Sequence, residues 1–157
     1  MTAEAARHAR KVRELREADL EAVVRIDALH TGARKPEYWG RVFGDFLGAD
    51  PGARRVGLSA EEEGRLVGYL LGEIRAFEFG SEACGWVFAV AVDPDHSRRS
   101  VGSALLGEAR RRFRAAGVSR LRTMVRRNDV PVLAFFRSSG FVGGSFVQLE
   151  QDLEEGP

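Results

Sequence analysis

The order of predicted elements specifies an α/β fold: a mixed, mostly antiparallel sheet with helices on both faces. Three features lead to it. Two strand-like segments flank a charged turn, Glu61-Glu62-Glu63-Gly64, as a hairpin. A continuous apolar run, residues 86–92, ends abruptly at Asp93-Pro94 and reads as a central strand. The clearest helix of the chain follows at once, and strand, helix and strand patterns follow that, so hairpins give way to β-α-β connections.

The elements fall in order along 157 residues, a length that fits one domain with a real core, and a single domain spanning 1–157 is expected. The first dozen residues read as frayed or weakly helical, and a short first strand is expected at 12–16. Residues 17–30 place Leu20, Val23, Val24, Asp27 and Ala28 at helical spacing. Gly32 and Pro36 end that helix, and 38–47 forms another, with Trp39, Val42, Phe43 and Phe46 on one face. Asp50-Pro51-Gly52 marks a turn. The hairpin strands occupy 54–60 and 66–76. In 101–116, Val101, Leu105, Ala109 and Phe113 recur every four residues, and Gly117 is a suitable stop. A strand at 121–125, a short helix at 130–139 closed by Gly140, and one or two closing strands within 141–153 complete the pattern.

Composition narrows the functions. The formal charge of +1 balances 24 basic against 23 acidic residues, so the molecule as a whole has no pull toward nucleic acid or membrane. Cys84 is the single cysteine, which rules out an internal disulfide and a thiol pair for a metal. The first sixteen residues lack an apolar segment of signal-peptide type, and no apolar run approaches the ~20 residues of a membrane span. A cytoplasmic protein without a metal is expected.

The chemistry concentrates in residues 87–106. A buried strand runs into a short polar loop, Asp95-His96-Ser97-Arg98-Arg99-Ser100, which opens the strongest helix. The first N–H groups of a helix lack intrahelical acceptors, and its dipole favours negative charge there. Small residues let a phosphate approach the backbone, and Arg98 and Arg99 add positive charge. A pyrophosphate fits this arrangement; so does a plain strand-turn-helix with Ser100 as N-cap.

This stretch resembles the acetyl-CoA signature of the GNAT superfamily of N-acetyltransferases: a strand ending in Val-x-Pro, an Arg/Gln-x-x-Gly-x-Gly/Ala loop, and a helix continuing Leu-Leu. A second resemblance is the aromatic-then-Gly-Phe sequence Phe135-Phe136-Arg137-Ser138-Ser139-Gly140-Phe141. The resemblance implies acetyl-CoA as co-substrate. Its pyrophosphate would lie on Ser97, Arg98, Arg99, Ser100, Val101, Gly102 and Ser103. Its pantetheine arm would pair with Val90, Ala91 and Val92, where neighbouring strands splay. The backbone N–H of Val92 would polarise the thioester carbonyl. Asn128 matches the family asparagine chemically, whereas Asp129 matches it by ungapped count; either also suits a helix cap.

Departures from the family pattern bear on mechanism. Ser97 and Ser100 replace the usual Arg/Gln and first glycine. Phe136 replaces a tyrosine that protonates the departing thiolate, and phenylalanine has no proton to give. Two positions that often carry a catalytic glutamate hold Trp86 and Thr123. The remaining candidate bases are Glu73 and Glu78, then Glu82 and His96. The acceptor wall implied by the family maps to Asp27, His30, Arg34, Tyr38, Trp39, Phe77, Phe79 and Gln148. The expected acceptor is a primary amine, on a protein or a small molecule.

Two other readings stand beside a transferase. A non-catalytic acyl-CoA-binding domain accounts for the missing tyrosine and glutamates. A nucleic-acid role would use Arg110, Arg111, Arg112, Arg114, Arg120, Arg122, Arg126 and Arg127, but it lacks the excess charge and exposed aromatics of such surfaces. A homodimer formed through Phe146-Val147-Gln148-Leu149 is also compatible with the sequence.

Overall fold

A computed structural model describes residues 10–47, 54–76, 78–96 and 98–154. Five strands form one sheet in the order β1-β2-β3-β4-β5: Arg10–Glu14, Arg55–Glu62, Arg65–Arg75, Cys84–Val92 and Leu121–Thr123. β1 to β4 are antiparallel neighbours, and β5 joins β4 in parallel, so the sheet is mixed and mostly antiparallel as expected. Four α-helices accompany it: α1 at Leu20–Thr31, α2 at Pro36–Leu47, α3 at Arg98–Ala115 and α4 at Val130–Ser138. The chain divides after Met124 into two compact units, the sheet with α1 to α3, and the segment carrying α4.

β1 begins two residues earlier than the apolar pattern indicates, and Leu15 and Arg16 lie outside it. The strand is mostly charged, and its stability comes from its partners. Arg10 lies opposite Glu62 and pairs with it at 2.7 Å, while Arg13 meets Glu61 at 3.0 Å and Asp19 at 2.8 Å. Such an edge strand is protected from aggregation by the same charges. The β2–β3 connection is a two-residue turn, Glu63-Gly64, with φ of 52° and 76°. Positive φ at both positions matches the right-handed twist of the strands, and glycine takes it without steric cost.

Alternation along β3 separates two cores. Tyr69 and Leu71 face α1 and α2 and join Val23, Val24, Ile26, Trp39 and Phe43 in one cluster, with Ala89 and Ala91 of β4 packed against it. The other face of β3 presents Gly68 and Gly72, over which α3 lies. A Cβ at Gly68 would come within 2.8 Å of Val101, and one at Gly72 within 2.9 Å of Phe113. Gly85 on β4 meets the same Phe113 ring and Leu121 just as closely. These three missing side chains let α3 sit directly on the backbone of the sheet. α3 stops at Gly117, where the Val118 and Gly117 N–H groups donate to the Phe113 and Arg114 carbonyls.

In the second unit, Asp129 caps α4 by accepting from the Val132 N–H at 3.2 Å, with proline in the first turn. Phe136 is buried between Phe135 and Phe141, each ring centroid 5.1 Å away. The closing strands expected within 141–153 do not form: no residue there has strand structure. A strand exists only through its ladder of partner hydrogen bonds, and Gly143-Gly144 interrupts the segment. Val142, Val147, Leu149 and Leu153 are correspondingly exposed. The expected turn at 50–52 lies outside the described residues. No helix is long and apolar enough to cross a membrane among the described residues.

The glycine ridge gives a test. Gly72→Ala drives a methyl group into Phe113 and the Trp86 carbonyl and should cost about 1–3 kcal/mol in urea unfolding. Gly107→Ala, inside α3 with open space around it, should instead add up to roughly 1 kcal/mol.

Candidate functional site

β4 is hydrogen-bonded unequally along its two edges. Toward β3 it is paired from Cys84 to Val92; toward β5 it is paired only at Gly85, Trp86 and Val87. The last stitch on that side is the Thr123 hydroxyl, which donates to the Val87 carbonyl at 2.8 Å. Beyond it, residues 88–92 have no β5 residue opposite them. In a ladder a residue's N–H and C=O point to one edge, and the edges alternate. The Asp93 N–H donates to the Val67 carbonyl on the β3 side, so Val92 and Val90 turn theirs toward the open edge.

α1 reaches that edge. His30 Nε2 lies 2.7 Å from the Val92 carbonyl oxygen, and because a carbonyl only accepts, Nε2 carries the proton. One turn earlier, Asp27 is buried beside Tyr69, the residue of β3 that stands opposite Ala91. Burial pushes the Tyr69 phenol well above the ordinary range, and the charge of Asp27 adds to that. Asp27 Oδ2 accepts no hydrogen bond and lies 3.1 Å from the Lys35 ammonium. The Trp39 ring stands edge-on to both Tyr38 and Tyr69, at 5.2 and 5.4 Å, and its Nε1 is buried without a partner.

The strand ends at Asp93, whose carboxylate is the anchor of the following loop. It accepts from the Asp95 N–H at 3.0 Å and from Arg25 of α1 at 3.1 Å. Burial would raise its pKa, but these two donors win and hold the carboxyl below its ordinary value. The loop then enters α3 at Arg98, so the N–H groups of Arg98, Arg99 and Ser100 precede any intrahelical acceptor. No acidic side chain stands in that first turn. Ser100 is therefore not the N-cap; it lies inside the first turn, and its hydroxyl accepts from Arg10 of β1 at 2.8 Å. Val101 and Gly102 are buried, whereas Ser103 is exposed.

The first unit thus brings together Val90, Ala91, Val92, Arg98, Arg99, Ser100, Val101, Gly102 and Ser103, along one strand edge and the helix start it leads to. Ser97 and Phe77 lie outside the described residues. Glu73 is elsewhere: it sits opposite Trp86, roughly 15–20 Å along the sheet from the level of Val92, and pairs with Arg75 at 3.1 Å. Glu78 belongs to the 3-10 turn Glu78–Gly80, and Glu82 is exposed. His96 stays near the anchor, its Nδ1 buried and 3.9 Å from Asp93. Of the acceptor-wall residues, Asp27, His30, Tyr38 and Trp39 gather at the end of α1 and the start of α2. Arg34 pairs with Glu21 at 2.7 Å, and Phe79 is exposed on its turn at φ 52°. In the second unit, Asp129 is the cap, Asn128 is exposed in the preceding turn, and Gln148 donates to Glu150. Among the arginines, Arg111 and Arg112 are held by Glu108, whose carboxyl they lower to about 2, and Arg112 also meets Glu14. No group of three or more His, Cys, Asp or Glu is placed to hold a metal among the described residues.

Arg25 and Lys35 were not legible as site residues. An arginine on a helix face and a lysine in a loop carry no sequence signal, and only the fold sets them against Asp93 and Asp27.

A strand edge that β5 leaves unpaired thus leads into a helix start without acidic side chains. Residues 11–141 match the Acetyltransferase (GNAT) family, to which the chain belongs. A mycothiol acetyltransferase of Saccharomonospora viridis is 31% identical over 87 residues, 54% of this chain; the chain spans 28% of the length of that relative. An aminoglycoside N-acetyltransferase in complex with CoA superposes with a TM-score of 0.80 at 15% identity, covering 93% of this chain and 96% of that one. A transcriptional regulator from Bacillus halodurans gives 0.77 at 18% identity, covering 92% and 100%. At such identities these structures attest the fold alone.

The Asp93 anchor makes a prediction. Asp93→Asn keeps the shape and loses the charge, and should lower stability at pH 7 by about 1–3 kcal/mol. Because the folded pKa is depressed, this contribution is complete above the unfolded value of about 3.9 and is lost as pH falls through the folded one. The gap between variant and parent in urea unfolding should therefore close on acidification.

Proposed function

We propose that the chain is an N-acetyltransferase that moves an acetyl group from acetyl-CoA to a primary amine by direct transfer in a ternary complex. The observation that carries this reading is the β4 edge left open beyond Val87. Its backbone groups that no β5 residue meets suit the amides of a pantetheine arm, with His30 on the Val92 carbonyl, and the acid-free first turn of α3 suits a pyrophosphate. Residues and ligand therefore fit in kind. Val90, Ala91 and Val92 would hold the arm, and the backbone of Arg98 to Ser103, with Ser97, would hold the phosphates. Asn128 and Phe136 are assigned to the same ligand by family resemblance alone.

When bound, acetyl-CoA supplies the activated thioester. The chain supplies orientation, by keeping both reactants in one cleft, and an N–H of the open edge at Val92 aimed at the developing oxyanion. Such a donor is worth roughly 2–4 kcal/mol. Glu78 and Glu73 remain the base candidates taken from the sequence. Glu73 enters with its carboxylate already engaged by Arg75 and stands farther from Val92 than direct contact or one bridging water spans. The mycothiol acetyltransferase among the relatives supports a small molecule as acceptor. Phe136, Trp86 and Thr123 favour the second reading, a domain that binds acyl-CoA without turning it over.

Thermal unfolding with and without acetyl-CoA tests the cofactor half: a ligand of the folded state must raise the midpoint. An unchanged midpoint rejects the proposal. Release of free CoA across an amine panel tests the transfer half; a raised midpoint without release under any acceptor supports the binding-only reading.

A further inference from the structure

We infer that Asp27 is the carboxylate that seats the ammonium group of the acceptor, and that Lys35 holds this seat in the free protein. The inference rests on the transferase reading above and adds the residue that would receive its amine and the lysine that competes for it.

The seat is built by α1 and α2 over β3 and β4. Asp27 and His30 are one turn apart on α1 and so lie on one face of the helix. His30 touches the Val92 carbonyl at the open edge, so Asp27 stands one helical turn from a residue in contact with the backbone assigned to the thioester. Tyr69, opposite Ala91, and Trp39 close the seat from below, and Tyr38, partly exposed, stands at its rim. The Asp27 side chain is only 12% exposed, yet its Oδ2 accepts no hydrogen bond. A carboxylate taken out of water needs donors as well as a counter-charge. Here the counter-charge is the Lys35 ammonium at 3.1 Å, near enough for Coulomb attraction but not aligned as a donor.

Lys35 lies in the four-residue connection between the helices, with 41% of its side chain exposed, so it has room to withdraw into water. An incoming ammonium brings three donors and can satisfy Oδ2 where Lys35 does not. Two other acids beside β4 are committed. Asp93 is taken up by Arg25 and the Asp95 N–H, and Glu73 by Arg75.

The test uses the full chain titrated calorimetrically with 1,5-diaminopentane, with neutral 1,5-pentanediol as control, both with saturating CoA and without it. The parent protein should bind the diamine and not the diol. Asp27→Asn should weaken diamine binding roughly ten- to a hundredfold, the range expected for a lost charge-assisted hydrogen bond, and leave CoA binding unchanged. Lys35→Met should tighten the diamine at least about threefold, because the internal competitor is gone. A purely structural ion pair predicts the opposite for Lys35→Met, a loss of stability with no gain in amine affinity. Equal diamine affinity in Asp27→Asn and the parent overturns the inference, as does absence of diamine binding in the parent and Lys35→Met alike. Should Asp27→Asn fail to fold by circular dichroism, the Lys35→Met titration decides alone. Failure of CoA to bind rejects the transferase reading instead, and the titration without CoA still reads the seat.

Discussion

The hydrogen-bond ladder of β4 is the constraint on which the rest of this structure depends. On one edge the strand is closed by β3 over its whole length, which holds it in the sheet. On the other, β5 pairs with three residues and then departs, and the Thr123 hydroxyl marks the point of departure. Buried backbone groups require partners, so an edge opened inside a domain must be met by something. At Val92 it is met by His30.

The geometry around that edge follows from how closely helices approach the sheet. Gly68, Gly72 and Gly85 remove the side chains that would hold α3 away, so its first turn stands at the end of β4, behind the Asp93 anchor. On the opposite face, α1 and α2 pack through Trp39, Phe43 and the valines of α1, bringing Asp27 and His30 over β3 and β4. One strand is thereby flanked by two kinds of site: an anion-ready helix start beyond its end and a buried carboxylate on its face. Under the proposed transferase reading, that opposition of charge would give an anionic co-substrate and a cationic acceptor separate sides.

Two of the buried carboxylates among the described residues are tied by donors. Asp19 is held by Arg13 and the Arg16 N–H, and Asp93 by Arg25 and its own loop. Both carboxyls stay below their ordinary range despite burial, because charged and backbone donors outweigh the loss of water. Asp27 departs from this pattern, since a counter-charge stands beside its Oδ2 without an aligned donor.

Periodicity and turn chemistry made the skeleton legible. The helical spacing of Val101, Leu105, Ala109 and Phe113, the Glu63-Gly64 turn and the stop at Gly117 are local, and each is dictated by residues within a few positions of one another. The loop from Asp93 to Ser103 was legible for the same reason. Other outcomes were decided at long range. The short strand expected at 12–16 begins instead at Arg10, where Arg10 and Arg13 pair with Glu62 and Glu61 some fifty residues away, and no pattern within 10–16 reveals those partners. The apolar residues of 141–153 look like strands in isolation, yet β structure is a property of pairs, and the ladder was not there to receive them. Ser100 reads as a cap until the helix is seen to begin at Arg98. Sequence alone determined the class of fold and the place of the anion-ready loop, because both follow from local rules of helix ends, turns and hydrophobic period. Only the tertiary structure decided which edge of β4 stays open and which carboxylate lies beside it, because those depend on where strands part and how two helices cross a sheet.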